Sequence, residues 1–242
     1  MEIAGYRARV EPTEINAAGK PPVMVELCTV ASPEELVDRA ALLSARRVPE
    51  PPYWTLVWTG ARALARALLE TPPPSSARIL DLGCGLGLCG LVAARSGAHT
   101  VFADKIPECL DFVSASAARA GIDNYETRVL DFTCDSLDRR FDLILAADIV
   151  YEPADYEPLV SFLDRHLNDN GSIWLTETLR ADAKLMLASL AARGFSDQCE
   201  ASWVLEEGRR ERTWLHRLRR PQSSLDARGL KTSTRSGPLR RV

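Results

Sequence analysis

The sequence predicts an α/β fold of the doubly wound type, with a mostly parallel sheet and one antiparallel strand from a C-terminal hairpin. Between residues 78 and 194, short apolar runs alternate with helical patterns, as they do where helices connect parallel strands. The first of these runs leads into a glycine-rich turn, Asp81-Leu-Gly-Cys-Gly-Leu-Gly87. Two later strand-like runs, 199–205 and 211–218, are separated by Glu-Glu-Gly-Arg-Arg, which favours a hairpin.

The individual elements follow from apolar spacing and from residues that begin or end helices. Residues 22–30 are predicted to form a strand, and Ser32-Pro-Glu-Glu35 then provides an N-cap, a first-turn proline and a capping-box glutamate. A helix is therefore expected to reach about Ser44, and another is expected over 61–69. The remaining predictions are strands at 78–82, 99–103, 125–130, 141–147 and 172–177, and helices at 88–96, 107–120, 155–167 and 180–193.

Length and charge indicate one catalytic domain with appendages. The 242 residues are 46% hydrophobic, which is enough for one well-buried core. We expect an N-terminal extension of strand plus helix at 1–50, the catalytic domain at 51–220 and a disordered basic tail at 221–242. The tail carries a net charge of +4 in a chain of net charge −3, so the remainder carries −7. This acidic body argues against a nucleic-acid partner.

Cysteine and histidine spacing predicts no metal site. The six cysteines include no C-x-x-C pair and the three histidines lie far apart, so we expect buried, reduced thiols. The N-terminus has no apolar segment of signal-peptide length, and no apolar run approaches the roughly 18 residues of a membrane span. We therefore expect a cytoplasmic protein with no membrane partner.

The glycine-rich turn predicts a site for an adenosyl cofactor. Its spacing is D-x-G-x-G-x-G, and a dinucleotide fingerprint would need glycine or alanine where the chain has Leu88. Asp81 would repel a pyrophosphate, whereas S-adenosylmethionine has no phosphate and carries an ammonium and a sulfonium. The predicted cofactor contacts in this turn are Asp81, Gly83, Cys84 through its backbone, and Gly85.

A second acidic residue stands where a ribose would need it. Asp104 ends the next predicted strand, 21 positions after Gly83, which matches the usual offset of a ribose-binding carboxylate. The alternative is a strand-to-helix turn that binds no ligand. Asp131 and Phe132 end a third strand, and we expect them at the edge and face of the adenine ring.

Asp148 follows an apolar strand that is predicted to be buried on both faces, so its side chain is expected beside the methyl end of the cofactor. Tyr151 lies three residues later. Enzymes that methylate bases or glutamine usually have Asn-Pro-Pro-Tyr here, whereas this chain has Asp-Ile-Val-Tyr. Glu177 also ends a predicted strand, with capping of the following helix as its alternative role.

These motifs, together with Pro52-Tyr-Trp-Thr-Leu-Val-Trp58, resemble the seven-β-strand class I methyltransferases and, within them, the family-16 protein lysine methyltransferases. The resemblance covers roughly residues 24–218 and implies a Rossmann-like sheet of seven strands. It also implies that Trp58 packs on the cofactor and that Ala147 lines the floor of its site. Thr59-Gly60 departs from the family, whose members often have proline followed by serine or glycine after the tryptophan.

The resemblance implies transfer of a methyl group from S-adenosylmethionine to a protein nitrogen, with lysine as the expected target. Asp148 and Tyr151 are then the predicted catalytic residues, with Asp148 docking the amine and Tyr151 walling its channel. The expected partner is a protein substrate, and a monomer is expected. Three alternatives stay open: a small-molecule methyltransferase, a nucleic-acid methyltransferase and a non-catalytic cofactor-binding protein. The aromatic residues Tyr53, Trp54 and Trp58 have ordinary core packing as their alternative role.

Overall fold

Strands and helices alternate through the middle of the chain, with an antiparallel unit at each end. The computed structural model describes residues 1–36, 51–149, 151–178, 183–206 and 208–220. The strands are β1 (Glu2–Ile3), β2 (Tyr6–Ile15), β3 (Val23–Val30), β4 (Arg78–Leu82), β5 (His99–Asp104), β6 (Tyr125–Val129), β7 (Phe141–Ala147), β8 (Leu167–Thr178), β9 (Ser196–Glu206) and β10 (Arg209–Arg219). The helices of the described residues are α1 (Thr59–Glu70), α2 (Leu88–Ala94), α3 (Pro107–Arg119), α4 (Tyr156–His166) and α5 (Lys184–Ala192).

The main sheet has seven strands in the order β6-β5-β4-β7-β8-β10-β9. The five strands from β6 to β8 are parallel, and β10 runs antiparallel to both β8 and β9. The predicted fold class is therefore confirmed. Strand order reverses between β4 and β7, and in such a sheet the crevice outside the carboxyl ends of these strands is where ligands bind.

The central parallel strands β4, β5 and β7 are mostly apolar because helices cover both faces of the sheet. Successive residues of β4 illustrate this: Ile79 joins a core with Leu68 of α1, and Leu80 joins a second core with Leu163 of α4. All four side chains are at most 1% exposed. Two continuous cores thus hold the carboxyl ends of the strands in fixed positions.

A three-stranded antiparallel sheet, β1-β2-β3, packs beside this core. Only β3 was predicted; β1 and β2 were missed, because charged residues and Pro12 interrupt the apolar pattern of β2. The sheet is fixed to α3 by a 2.8 Å hydrogen bond from the amide of Cys28 to Ser116 Oγ. Tyr6 of β2 also packs against Phe112 of α3, with ring centroids 6.3 Å apart.

Several predicted bounds need correction. Strand β8 begins at Leu167, not at residue 172, because Leu167 already pairs with Phe141 of β7, and the register then shifts so that Ser172 pairs with Leu143. Of the helix expected after Ser32, only a 3₁₀ turn, Pro33–Leu36, is described; the rest, the start of the helix predicted at 180 and the tail 221–242 lie outside the described residues.

The expectation of buried thiols was wrong for two cysteines. Cys134 and Cys199 are exposed, because Cys134 lies in the loop after β6 and Cys199 lies on the edge strand β9. The other four are buried or half-buried, and all six are free thiols. Among the described residues, no helix has both the length and the apolar content that crossing a bilayer requires.

Candidate active site

One cavity of about 510 Å³ opens at the carboxyl ends of β4, β5 and β7. This volume lies within the range of small-molecule and cofactor sites. The structure brings all ten predicted site residues to its lining: Trp58, Asp81, Gly83, Cys84, Gly85, Asp104, Phe132, Ala147, Asp148 and Tyr151. Of the five predicted strand-end acids, only Glu177 does not line it.

The turn between β4 and α2 requires glycine at three alternate positions. Gly83, Gly85 and Gly87 have φ of 63°, 50° and 78°, in the left-handed region that other residues rarely adopt. A Cβ on Gly83 would also come within 2.6 Å of Ile149 Cγ2. The turn therefore brings bare backbone to the cavity wall.

Asp81 lies beneath this turn and is 2% exposed. Its Oδ2 accepts a 2.7 Å hydrogen bond from the amide of Gly90, in the first turn of α2. Burial raises the pKa of Asp81 to about 7, against the opposing effect of the Gly90 hydrogen bond. The carboxylate thus holds the helix to the strand while it faces the cavity, where a positively charged ligand would favour its ionised form.

Asp104 links the glycine turn to the end of β5. Its Oδ2 accepts from the amide of Gly85 at 2.9 Å, and its Oδ1 accepts from the amide of Ile106 at 3.0 Å. Burial raises the pKa of this carboxyl, and the same two amides oppose the increase. Each carboxylate oxygen has further acceptor capacity, so the group can still bind ribose hydroxyls. Cys84 is a neutral thiol, because burial raises its pKa well above the usual value.

The predicted adenine end of the cavity is formed by the loop after β6. Asp131 Oδ1 accepts hydrogen bonds from the amide and hydroxyl of Thr133, at 2.9 and 2.6 Å, and thereby fixes this loop. The Thr133 hydroxyl also lowers the pKa of Asp131. Phe132 packs partly buried against the core and adds an apolar surface to the cavity.

Asp148 has φ of 53°, a left-handed conformation that aspartate tolerates better than most residues. Its Oδ2 accepts a 2.7 Å hydrogen bond from the amide of Gly60. The N-cap residue of α1, Trp58, makes no side-chain capping bond, so Asp148 supplies that interaction from another part of the chain. A Cβ on Gly60 would lie 2.5 Å from Asp148 Oδ2 and 2.6 Å from Thr176 Oγ1. Residue 60, in the segment where the sequence departs from the family pattern, must therefore be glycine for the Asp148 carboxylate to lie here.

Three aromatic rings form a rim at the cavity mouth. Tyr53 makes edge contacts with Trp58 and with Tyr151, at centroid distances of 5.6 and 6.0 Å. The indole of Trp58 is fixed by a 3.0 Å hydrogen bond from Nε1 to the carbonyl of Tyr53. Tyr53 and Tyr151 are each 40% exposed. A side chain that enters the cavity here would pass between aromatic surfaces.

A family profile described as lysine methyltransferase matches residues 55–190, which is more than half of the chain. The matched region includes Trp58 of the aromatic rim, the glycine turn and Asp148, and it reaches into α5. The chain belongs to this lysine methyltransferase family. Its members are S-adenosylmethionine-dependent methyltransferases, so the family resemblance and the cofactor predicted from the sequence are confirmed.

The curated relatives match only about half of this chain. The electron transfer flavoprotein beta subunit lysine methyltransferases of Xenopus laevis and Danio rerio are 33% and 35% identical over 126 residues, half of this chain. This chain spans about half of their length, 50% and 47%. Histone-arginine methyltransferase METTL23 of Homo sapiens is 30% identical over 135 residues, covering 52% of this chain and 70% of that protein.

Solved structures agree on the fold. A TehB-like methyltransferase from Corynebacterium glutamicum superposes with a TM-score of 0.55 at 19% identity, over 79% of this chain and 99% of that one. The N-methyltransferase NodS from Bradyrhizobium japonicum, solved with S-adenosyl-L-homocysteine, superposes with a TM-score of 0.55 at 17% identity, over 68% of this chain and 85% of that one.

The cavity fits the cofactor of this family on four observations. It combines an exposed glycine backbone, two buried carboxylates for a cationic end and a ribose, an apolar floor at Ala147 and Ile149, and sufficient volume. The individual roles of the site residues stay predictions.

Trp54, which the sequence left between core packing and a site role, packs against Phe112 at a centroid distance of 5.4 Å and also lines the cavity, so the two roles coexist. Sequence reasoning missed two other contributors. Tyr6 lines the cavity from the unpredicted strand β2. Gly60 had a usable signal, since a glycine in the first turn of an Ala/Leu-rich helix needs a packing reason.

Proposed function

We propose that this protein transfers a methyl group from S-adenosylmethionine to the side-chain nitrogen of a lysine in a protein substrate. One observation carries the proposal: the Asp148 carboxylate and the rim of Tyr53, Trp58 and Tyr151 line the same cavity as the glycine turn. This arrangement places an anionic group and aromatic walls where an amine could reach a bound cofactor.

The bound cofactor would supply an electrophilic methyl group on a sulfonium sulfur. The residues of the chain must then position a lysine amine and favour its neutral form. Deprotonating a lysine at pH 7 costs about 4.6 kcal/mol from its reference pKa. Aromatic walls reduce this cost because they disfavour the ammonium in a partly desolvated channel.

Asp148 acts in the opposite direction on the amine pKa, since a carboxylate stabilises an ammonium. We therefore assign Asp148 to docking and orienting the amine, with the proton passing to water. Its fixed geometry supports this assignment, because the Gly60 amide holds Oδ2 at 2.7 Å and the backbone amide of Asp148 donates to the Thr176 carbonyl at 3.0 Å. Orientation of reacting groups is a large part of the catalysis of such displacements.

The names of the relatives support a protein substrate. The frog and fish relatives are lysine methyltransferases of a flavoprotein subunit, the human relative acts on histone arginine, and another relative is a ribosomal protein L11 methyltransferase from Lactobacillus johnsonii. A ubiquinone biosynthesis O-methyltransferase from Xylella fastidiosa is also similar, at 29% identity over 119 residues. Small-molecule methylation is thus the contrasting outcome of the test.

The test is transfer of a labelled methyl group into a cell lysate, followed by mass spectrometry. We expect the label in material of intact-protein size. Protease digestion should move it to smaller peptides, and the modified peptide should contain methyl-lysine. Asp148→Asn is the matched control, because asparagine tolerates the left-handed backbone and keeps an acceptor for Gly60 while removing the charge. It should lower turnover by about 10²-fold with cofactor affinity within several-fold. Label on arginine, a nucleic acid or a small molecule would contradict the lysine proposal.

A further inference from the structure

A group of side chains that could bind a metal ion lies on the β9–β10 hairpin, outside the cofactor cavity. Cys199 and His216 are directly opposite each other in the antiparallel register, and Asp197 lies two residues before Cys199 on the same strand. His216 Nδ1 is 2.8 Å from Asp197 Oδ2, and its Nε2 is 3.9 Å from Cys199 Sγ. His216 is 5% exposed, whereas Cys199 and Asp197 face solvent.

We propose that Cys199 Sγ and His216 Nε2 bind a divalent ion of the zinc type, with Asp197 orienting the imidazole. The donor set of one thiolate and one imidazole suits Zn²⁺. Zn–S and Zn–N bonds of about 2.3 and 2.1 Å at a tetrahedral angle place the two donors about 3.6 Å apart. The observed 3.9 Å needs only a small closing movement. Water would fill the other coordination positions, since the site is open to solvent.

Asp197 gives the imidazole the tautomer that a metal needs. By accepting from Nδ1–H, its carboxylate leaves the lone pair of Nε2 directed towards Cys199. The same carboxylate–histidine pairing commonly supports histidines that bind metals. A bound ion would connect the edge strand β9 to β10 by a link that does not depend on backbone hydrogen bonds.

The charges around Cys199 favour a metal site over a reactive cysteine. The carboxylates of Asp197, Glu177 and Glu200 place negative charge around this thiol, whereas reactive cysteines lie in electropositive surroundings. A divalent cation is attracted by the same carboxylates and displaces the thiol proton on binding. Arg217 forms a 2.6 Å ion pair with Glu200, which offsets part of this negative charge.

Cobalt titration of the untagged, reduced full-length chain tests the assignment, because Co²⁺ bound to a thiolate gives a near-ultraviolet charge-transfer band. We expect one Co²⁺ per chain, and Zn²⁺ should abolish the band. Cys199→Ser should lose the band, and Asp197→Asn should weaken binding by about 10–100-fold through the loss of imidazole orientation. Circular dichroism of each variant verifies that it is folded.

Two matched cysteine variants serve as controls. Cys134→Ser removes the other exposed thiol, and Cys109→Ser disrupts the second described group of close ligands, Cys84, Asp104 and Cys109. Both should keep the band. The proposal is overturned if the wild-type chain shows no band, if Cys199→Ser keeps it, or if Cys109→Ser loses it. Alkylation of Cys199 faster than that of Cys134 without metal binding would indicate a reactive thiol instead. These outcomes do not depend on methyl-transfer activity.

Discussion

The two ends of the cavity are built in different ways. At the end where the cofactor is predicted to bind, called the cofactor end, Asp81 and Asp104 are 2% and 8% exposed, and their carboxylates accept hydrogen bonds from the amides of Gly90, Gly85 and Ile106. At the end where methyl transfer is proposed, called the transfer end, Asp148 accepts a hydrogen bond from the amide of Gly60, 88 residues away, and the tyrosine rings of the rim are 40% exposed.

Because of this difference, substitutions at the two ends of the cavity should affect protein stability and turnover to different extents. The buried carboxylates of the cofactor end hold strands and helix together, so their substitution should change folding as well as ligand binding. The transfer end includes the contact between the Gly60 amide of α1 and Asp148 at the end of β7, with partly exposed rings around it. Changes there should lower turnover while leaving cofactor affinity nearly unchanged.

The largest expected effect is a pH-dependent change in stability at Asp81. In the unfolded chain this carboxyl loses its proton near its usual pKa of 3.8, whereas in the folded protein burial keeps it protonated up to about pH 7. The folded state therefore binds more protons between these values. The contribution of Asp81 to the free energy of unfolding falls by at most roughly 4 kcal/mol as pH rises from about 4 to 7, and it is constant above that range.

Asp81→Asn should not lose stability in this way as pH rises, and its side chain keeps an acceptor for the Gly90 amide. Urea titrations should therefore show that the free energy of unfolding of the variant, relative to that of wild type, increases between pH 5 and pH 8. Parallel pH profiles for the two proteins would show that Asp81 is already ionised in the folded state below pH 5.

The next largest effect is expected from Gly60→Ala, because its Cβ would lie 2.5 Å from Asp148 Oδ2. Displacing the carboxylate should lower turnover by about 10²-fold, or about 2.7 kcal/mol, with cofactor affinity kept within several-fold. Turnover and calorimetric cofactor affinity measure the two effects separately. If Gly60 acts through Asp148, adding Gly60→Ala to Asp148→Asn should cause little further loss. Additive losses would mean that the two residues act independently.

The same contrast explains what the sequence could predict. Every member of the cofactor end lies in or beside a strand that leads directly into its turn, so local spacing located Asp81, the glycines and Asp104. The central strands β4, β5 and β7 were predicted within one residue because they are mostly apolar on both faces, whereas β1 and β2 were missed and β8 begins five residues before its predicted start.

Non-local contacts could not be predicted in this way. The pairing of Gly60 with Asp148 and the addition of Tyr6 depend on how α1 and the N-terminal sheet pack. The juxtaposition of Cys199 and His216 depends on the register of a hairpin, and spacing rules for metal sites do not detect cross-strand pairs.

Asp104 should show the double effect expected of the cofactor end. Asp104→Ala should weaken cofactor binding by roughly 1–3 kcal/mol through lost charge-assisted hydrogen bonds. It should also lower the melting temperature, because the amides of Gly85 and Ile106 lose their acceptor. Calorimetry and thermal unfolding of the same sample test both. Unchanged melting with weakened binding would assign Asp104 to ligand binding alone.

The smallest effect is expected at Tyr151, whose ring contacts Tyr53 edge-on at 6.0 Å. If the ring serves as a wall of the amine channel, Tyr151→Phe preserves that surface and should lower turnover less than about threefold, under roughly 0.7 kcal/mol. Tyr151→Ala removes the wall, admits water and should lose about tenfold. Tyr53→Phe is the matched control at the same rim. Equal losses for the two Tyr151 variants, with Tyr53→Phe unaffected, would instead assign the hydroxyl a hydrogen bond to the amine, and the transfer end would then orient its substrate with two polar groups.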